Sequence, residues 1–460
     1  MLNPNIFREY DIRGKVEQDL TGDTPKTIGK AFGTYLRRKG VDCAVIGMDN
    51  RPSSTSIGSL FIEGLRSTGC NCIDIGVTAT PVLYFAMHFL GIKGGSMVTA
   101  SHLPSNWNGF KLCYGPGTLY GSEIQKIREI SEEGDFEEGN GKLSLKDVTD
   151  AYLSTIKDKV SLGPRKIRVV LDGGNGIAGS IGLPILIALG ADVIPLYCTS
   201  DPRFPHHHPD PTKLENLRDL REMVLKEKAD IGIALDGDGD RIGVLSEKGE
   251  IIWGDMLMIL YSRDLLKRRP GSKIILDVKC SQILADEIKN LGGIPIWSPT
   301  GHSLIKARMR EEGALIAGEM SGHMFFADDY FGYDDAIYAA ARLLKILSES
   351  EIGLHEMLSD LPTAYSTPEI RPYCPDSMKF QVVEELKEKL GSMYESVTID
   401  GIRFKTEDGW GLIRASNTQE ALIVRCESFT REGLERLKGI IEDALKPYPE
   451  VKLDWESQGD

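Results

Sequence analysis

No hydrophobic run in this sequence is long enough to cross a bilayer. Arg, Lys, Glu or Gly interrupts each one short of the roughly 20 residues that a helical span needs. Positive charge is scarce relative to negative, with 54 Lys and Arg against 68 Asp and Glu, a net charge of −14. That balance argues against a general binder of nucleic acid or of anionic membrane, whose contacts need a basic face. A small phosphorylated ligand in a locally basic cleft stays open. The first residues, Met1-Leu2-Asn3-Pro4-Asn5, lack the cationic segment and apolar core of a secretory signal. The eight cysteines are scattered (43, 70, 72, 113, 198, 280, 374, 426) with no paired zinc spacing. They read as reduced thiols of a cytoplasmic protein.

What is present is ordinary globular chemistry, 41% hydrophobic and 27% charged over 460 residues. Single cores rarely exceed roughly 250 to 300 residues, so the length predicts three or four domains. A unit recurs along the chain: an apolar strand ending in Asp, a helix, a Gly, a second strand. It runs from Cys43-Ala44-Val45-Ile46-Gly47-Met48-Asp49 to Cys72-Ile73-Asp74-Ile75-Gly76, with a helix near Ser59 to Arg66 and Gly69 between. It returns at Ile167 to Asp172, with a helix from Pro184 to Leu189, Gly190, and Val193 to Leu196. A third copy is Lys273 to Asp277, a helix from Ile283 to Leu291, Gly292, and Ile294 to Ile296. Such alternation predicts βαβ units on parallel-containing sheets, here a triplicated α/β module. The remainder, with strands at Val397 to Ile399 and Ala421 to Arg425 and a helix from Arg431 to Leu445, reads as a smaller α+β domain. The expected domains are 1–147, 148–250, 251–362 and 363–460.

Four segments carry candidate chemistry. Thr99-Ala100-Ser101-His102-Leu103-Pro104, with Asn108-Gly109-Phe110-Lys111 after it, follows a strand ending at Val98. A loop serine beside a histidine and a lysine can accept and donate a phosphoryl group. Alone, however, Ser-His in a loop is more often turn chemistry. Asp236-Gly237-Asp238-Gly239-Asp240-Arg241 follows the strand Ile231 to Leu235, where ligands of parallel sheets bind. Three alternate carboxylates can converge on one hard cation, Mg²⁺ rather than Ca²⁺ because room remains for a phosphate oxygen. An EF-hand is excluded, since Arg241 stands where Gly is needed and strands flank the loop.

Gly318-Glu319-Met320-Ser321-Gly322-His323 offers an acceptor, a hydroxyl and a titratable ring suited to sugar hydroxyls, or else is a plain turn. Arg414-Ala415-Ser416-Asn417-Thr418, with Arg425 a strand later, suits a dianionic phosphate, or else is a polar hairpin. Near Phe7-Arg8-Glu9-Tyr10-Asp11-Ile12-Arg13-Gly14, either a surface turn closes at Gly14 or Tyr10 and Arg13 face a polar cleft. His206-His207-His208 is not a primary metal site, because consecutive side chains cannot all face one ion. Lys279, at the end of the third repeat's first strand, can reach a phosphate, and His302 reads as substrate-facing by position.

Taken in order, T-A-S-H-x-P…N-G-F-K, D-G-D-G-D-R, G-E-M-S-G-H and R-A-S-N-T resemble the α-D-phosphohexomutase family. More narrowly, they resemble its bacterial phosphomannomutase/phosphoglucomutase branch, and the similarity covers essentially the whole chain. The resemblance implies three α/β domains with mixed sheets plus a smaller α+β domain, around a central cleft. It implies that Ser101 is a phosphoserine and that Asp236, Asp238 and Asp240 hold Mg²⁺ against its phosphate. Glu319 and Ser321, with His323 in the same loop, would bind the sugar. Arg414, Ser416, Asn417 and Thr418, with Arg425 nearby, would clamp the phosphate that is not reacting. Arg13, His102, Lys111, Arg241, Lys279 and His302 would line the cleft, Tyr10 closing near it, with His302 or Lys111 as the base. Leu103 and Gln419-Glu420 depart from the family's usual residues.

The implied reaction interconverts 1- and 6-phosphates of mannose or glucose through a hexose 1,6-bisphosphate, which also serves as activator. A sugar phosphatase or bisphosphate synthase, a phosphoglucosamine mutase, and a non-catalytic sugar-phosphate sensor are the alternatives. A monomer and a small homo-oligomer are both compatible with the sequence.

Overall fold

The repeated unit folds as three sheets of one topology. The structure, a computed structural model, describes residues 2–417 and 419–455. The first sheet comprises β1 (Ile12–Lys15), β2 (Cys43–Met48), β3 (Asn71–Val77), β4 (Gly94–Val98), β5 (Trp107–Tyr114), β6 (Gly117–Thr118) and β7 (Leu143–Leu145). The second comprises β8 (Arg168–Asp172), β9 (Asp192–Leu196), β10 (Ile231–Leu235), β11 (Ile242–Ser246) and β12 (Ile251–Ile252). The third comprises β13 (Lys273–Asp277), β14 (Ile294–Ser298), β15 (Ile316–Gly318) and β16 (Met324–Phe326).

In each, the unit's first strand lies between its second and third, all parallel, and its fourth returns antiparallel beside the third. The orders are β3-β2-β4-β5, β9-β8-β10-β11 and β14-β13-β15-β16. First strands such as Cys43–Met48 are almost wholly apolar because they are covered on both faces. The fourth sheet is antiparallel, with β17 (Tyr365–Ser366), β18 (Glu395–Val397), β19 (Ile402–Lys405), β20 (Gly409–Ala415) and β21 (Leu422–Ser428) in the order β17-β21-β20-β19-β18. Two helices, Lys379–Gly391 and Arg431–Leu445, pack on it.

This topology gives three equivalent turns, between the third and fourth strand of each unit. They hold Ser101, the Asp236–Arg241 segment and the Glu319–His323 segment respectively. Arg414 lies near the end of β20, and the turn from β20 to β21 holds Ser416 and Asn417. A single apolar core runs through all three mixed sheets, from Val45 and Phe85 through Leu171 and Ile233 to Ile274, Ile316 and Leu344. The fourth sheet keeps its own core of residues such as Phe404, Ile413, Val424 and Ile441.

Three local expectations shift. Gly14 does not close a turn; it lies within β1, whose Arg13 pairs with Gly109 at the sheet edge. Pro184, expected to open a helix, sits inside Ile177–Ala188, whose apolar burial outweighs one lost hydrogen bond. The strand expected at Val397 to Ile399 is Glu395–Val397, because the chain then turns into Gly401 at φ 72°. All eight cysteines are unpaired, and no described helix is long and apolar enough to cross a membrane.

Candidate active site

Ser101 adopts φ 52°, a left-handed conformation that costs a β-carbon-bearing residue on the order of 1–2 kcal/mol. The surrounding hydrogen bonds hold it there. Thr99 Oγ1 accepts the Ser101 N–H at 2.8 Å and donates to Asp49 Oδ2 at 2.7 Å. The buried Arg51 donates to the Ser101 and Leu103 carbonyls, both at 2.6 Å, and to the Pro104 and Trp107 carbonyls at 2.7 and 3.2 Å. Its Nε bonds Asp49 Oδ2 at 3.0 Å. The loop is thus held through the carbonyl of residue 103, so a leucine there costs this clamp nothing. Ser101 Oγ donates to Asp236 Oδ2 at 2.7 Å and lies 3.1 Å from His102 Nδ1. Desolvation, with Arg241 and Arg13 nearby, holds His102 well below its usual pKa.

The aspartate loop folds onto the serine loop because two of its positions are glycines. A β-carbon on Gly237 would lie 2.6 Å from the Ser101 carbonyl oxygen, and Gly239 takes φ 80°. Asp236 Oδ1 accepts the backbone N–H groups of Gly239, Asp240 and Arg241 at 2.9, 3.0 and 3.0 Å. Lys111 bonds Asp238 Oδ2 at 2.7 Å and also Asp240 Oδ2. Burial lowers the Lys111 pKa, but Asp238 and Asp240 outweigh it and raise the value. Burial and the neighbouring Asp240 and Asp238 push Asp236 well up.

Carboxylate oxygens of the three aspartates lie within 4.8 Å of one another. Among the described residues Asp238 Oδ1 is buried without a hydrogen-bond partner, and Asp240 Oδ1 meets only the His323 ring, 3.3 Å away, although each carboxylate's other oxygen is satisfied. An orphaned carboxylate oxygen among converging, all-oxygen donors fits a hard divalent cation.

The third turn docks against the second. Gly322, at φ 95°, leaves no room for a β-carbon, which would meet the Ile242 carbonyl oxygen at 2.3 Å. His323 stands between two carboxylates, with Nδ1 2.6 Å from Glu319 Oε2 and Nε2 3.3 Å from Asp240 Oδ1. Burial alone would lower its pKa, but Asp240 prevails and it stands at about 9. Glu319 is desolvated, yet His323 holds it down to about 2. Glu319 Oε1 also accepts the Gly301 N–H at 2.7 Å. Ser321 Oγ is 3.3 Å from His323 Nδ1.

Tyr10 ties the N-terminus to the last two sheets. Its hydroxyl donates to the Thr300 carbonyl at 2.8 Å and accepts from Asn417 Nδ2 at 2.6 Å. Arg414 pairs with Asp400 at 2.9 Å, Lys279 with Glu369 at 3.2 Å, and Arg13 with Asp11 at 2.6 Å. Ser416 Oγ accepts the Gln419 N–H at 3.1 Å. Arg425 is engaged by the Lys279 carbonyl and Met320 sulfur. Thr418 lies outside the described residues. The histidine run diverges as expected: His206 stacks on Tyr197 while His207 Nε2 reaches Asp172 at 2.9 Å.

Sequence reasoning missed Asp49, Arg51, Lys306 and Asp334. Asp49 could have been found, since it is the strand-end Asp of the first repeat; Arg51 has no local signature. Lys306 bonds Asp334 Oδ1 at 2.7 Å in full burial directly behind His302.

Four family models match in order: phosphoglucomutase/phosphomannomutase α/β/α domain I over residues 4–138, domain II over 150–249, domain III over 253–365, and the C-terminal domain over 369–444. A phosphomannomutase/phosphoglucomutase of Pseudomonas aeruginosa is 45% identical over 446 residues, 97% of this chain and 96% of the relative. A phosphoglucomutase of Neisseria gonorrhoeae is 41% identical over 452 residues, 97% and 98% of the two chains. The crystal structure of a phosphoglucomutase/phosphomannomutase family protein from Burkholderia thailandensis superposes with a TM-score of 0.93 at 38% identity, covering 98% of this chain and 100% of that one. With its four domain types matched in sequence and in fold, this chain belongs to the phosphoglucomutase/phosphomannomutase family and is a phosphosugar mutase, an isomerase.

Proposed function

We propose that the site interconverts the 1- and 6-phosphates of glucose and mannose through a phosphate carried on Ser101. The sugar's free hydroxyl oxygen bonds to phosphorus as the bond from phosphorus to Ser101 Oγ breaks, yielding a hexose 1,6-bisphosphate. The hydroxyl proton passes to a base, and the released Ser101 Oγ takes up a proton, so the exchange consumes none. Return of the sugar's other phosphate to Ser101 gives the isomeric monophosphate and restores the enzyme. Hexose 1,6-bisphosphate is therefore both intermediate and activator.

The observation that carries this reading is the meeting of Ser101 Oγ and Asp236 at 2.7 Å, beside Lys111 and Arg241, at the junction of two equivalent turns. Asp236, Asp238, Asp240 and the Ser101 phosphate would hold Mg²⁺, which supplies fixed positive charge to the phosphoryl oxygens. Lys111, Arg13 and Arg241 add cationic charge from the protein. His102 lies beside Ser101 Oγ. Glu319, Ser321 and His323 take the sugar hydroxyls, while Arg414, Ser416, Asn417 and Thr418, with Lys279, Arg425 and Tyr10 near, hold the distal phosphate.

The domains 1–147, 148–250, 251–362 and 363–460 then contribute one loop each, and the substrates are those of a cytoplasmic sugar-phosphate enzyme. Incubation with glucose 1,6-bisphosphate and Mg²⁺ should add the mass of one phosphoryl group, located to Ser101 by peptide mass spectrometry. Labelling elsewhere, or equal labelling of Ser101→Ala, would overturn the assignment.

A further inference from the structure

His302 opens the helix His302–Glu312, and Lys306 follows one turn later on the same face. Lys306 is 1% exposed, and its ammonium group lies within hydrogen-bond reach of three polar atoms. These are Asp334 Oδ1 at 2.7 Å, His302 Nδ1 at 3.2 Å and the Tyr84 hydroxyl at 3.2 Å. The ammonium also lies 4.3 Å from the Tyr84 ring centroid. An ammonium only donates, so the imidazole nitrogen facing it must present its lone pair. The remaining proton of an uncharged ring then sits on Nε2. That atom is buried and has no hydrogen-bond partner among the described residues.

The competing arrangement has Nδ1–H donating to Asp334 Oδ2. That oxygen is 3.4 Å away and makes no hydrogen bond to any described residue. Adopting it would strip Lys306 of one acceptor in full burial, where an unmet donor is costly.

We propose that Lys306 and Asp334 are positioning residues that fix His302 as its Nε2–H tautomer, so that the ring meets an oxygen of the bound phosphosugar as a hydrogen-bond donor. Asp334 anchors the ammonium, and the ammonium selects the tautomer. His302 is then not the base that takes the sugar hydroxyl's proton. The ring lies beside the sugar turn, its centroid 5.6 Å from that of His323, so a donor here reaches the ligand from the third domain's side. The functional half of the inference rests on the mutase reading; the tautomer itself does not.

The chain has only eight histidines, which keeps a nitrogen-15 and carbon-13 spectrum of labelled imidazoles tractable. His302 is assigned as the signal lost in His302→Gln. In ligand-free wild type its long-range couplings should show Nε2 protonated and Nδ1 bare; a protonated Nδ1 would overturn the proposal. Lys306→Met/Asp334→Asn removes both charges together and avoids leaving a lone buried ion. In this variant, with its melting temperature checked, the His302 signal should move toward Nδ1–H or a mixture. Its kcat/KM for glucose 1-phosphate should fall on the order of tenfold or more. An unchanged tautomer in that folded variant, or wild-type kcat/KM with a changed tautomer, would also overturn it. Wild type that shows Nε2–H but turns over no phosphosugar would sink the mutase reading and, with it, the role given to the donor.

Discussion

Arg51 Nη2 donates to the backbone carbonyl of Ser101 at 2.6 Å, and the same guanidinium gathers three further carbonyls of the loop. A planar fork with five donors can do this; a lysine with three cannot. Arg51→Lys should therefore stay folded while its serine loop loosens. A displacement near 1 Å should lower kcat by about 100-fold. Arg51→Met leaves Asp49 without its buried counter-charge and should lose about 3–5 kcal/mol of stability. Steady-state kinetics on the first variant and urea unfolding of the second check the two claims.

Gly237 faces the same carbonyl from the other side, and a β-carbon there would stand 2.6 Å from it. Gly237→Ala should push the serine and aspartate loops apart and cost about 100-fold in kcat. Its far-ultraviolet circular dichroism should match wild type. Near-normal kcat would mean that the contact between the two turns does not set the site's geometry.

These two contacts mark where the sequence is legible and where it is not. The strand-Asp-helix-Gly-strand unit was readable because apolar runs and glycines are local signals, and β2, β8 and β13 lie where it places them. The four chemical segments were readable for the same reason. That three of them occupy one topological position was not, because the serine, aspartate and sugar turns differ in length and sequence. Of the two readings open for residues 7–14, the turn closing at Gly14 fails because strand pairing, invisible along the chain, outweighs glycine's turn preference. Arg51, Lys306 and Asp334 act through partners tens to hundreds of residues away or through loop carbonyls, and nothing at their own positions announces that.

The orphaned Oδ1 atom of Asp238, converging with the carboxylates of Asp236 and Asp240, bears on the cation. Chelation should abolish turnover and Mg²⁺ should restore it. Asp240→Asn removes a ligand charge and should lower kcat by about 10²–10³-fold, with a higher Mg²⁺ requirement. Activity that survives exhaustive chelation would contradict the assignment of the aspartates.

His207 offers a test of stability apart from catalysis. Burial depresses its pKa, but the bond to Asp172 at 2.9 Å more than compensates and the net shift is upward. A raised folded value means the pair's contribution is full below His207's unfolded pKa, about 6.5, and is lost as pH rises through the folded value. The melting temperature should therefore drop more between pH 6 and pH 8.5 in wild type than in His207→Gln. Equal drops would show that the pair contributes nothing.

The phosphoserine mutase reading is tested most directly by following phosphorus-31 resonances of glucose 1-phosphate and mannose 1-phosphate with Mg²⁺ and catalytic glucose 1,6-bisphosphate. With wild type, the 6-phosphate resonance of both sugars should grow at constant total organic phosphate, and with Ser101→Ala it should not. Release of inorganic phosphate as the main product, or conversion by Ser101→Ala at the wild-type rate, would contradict it.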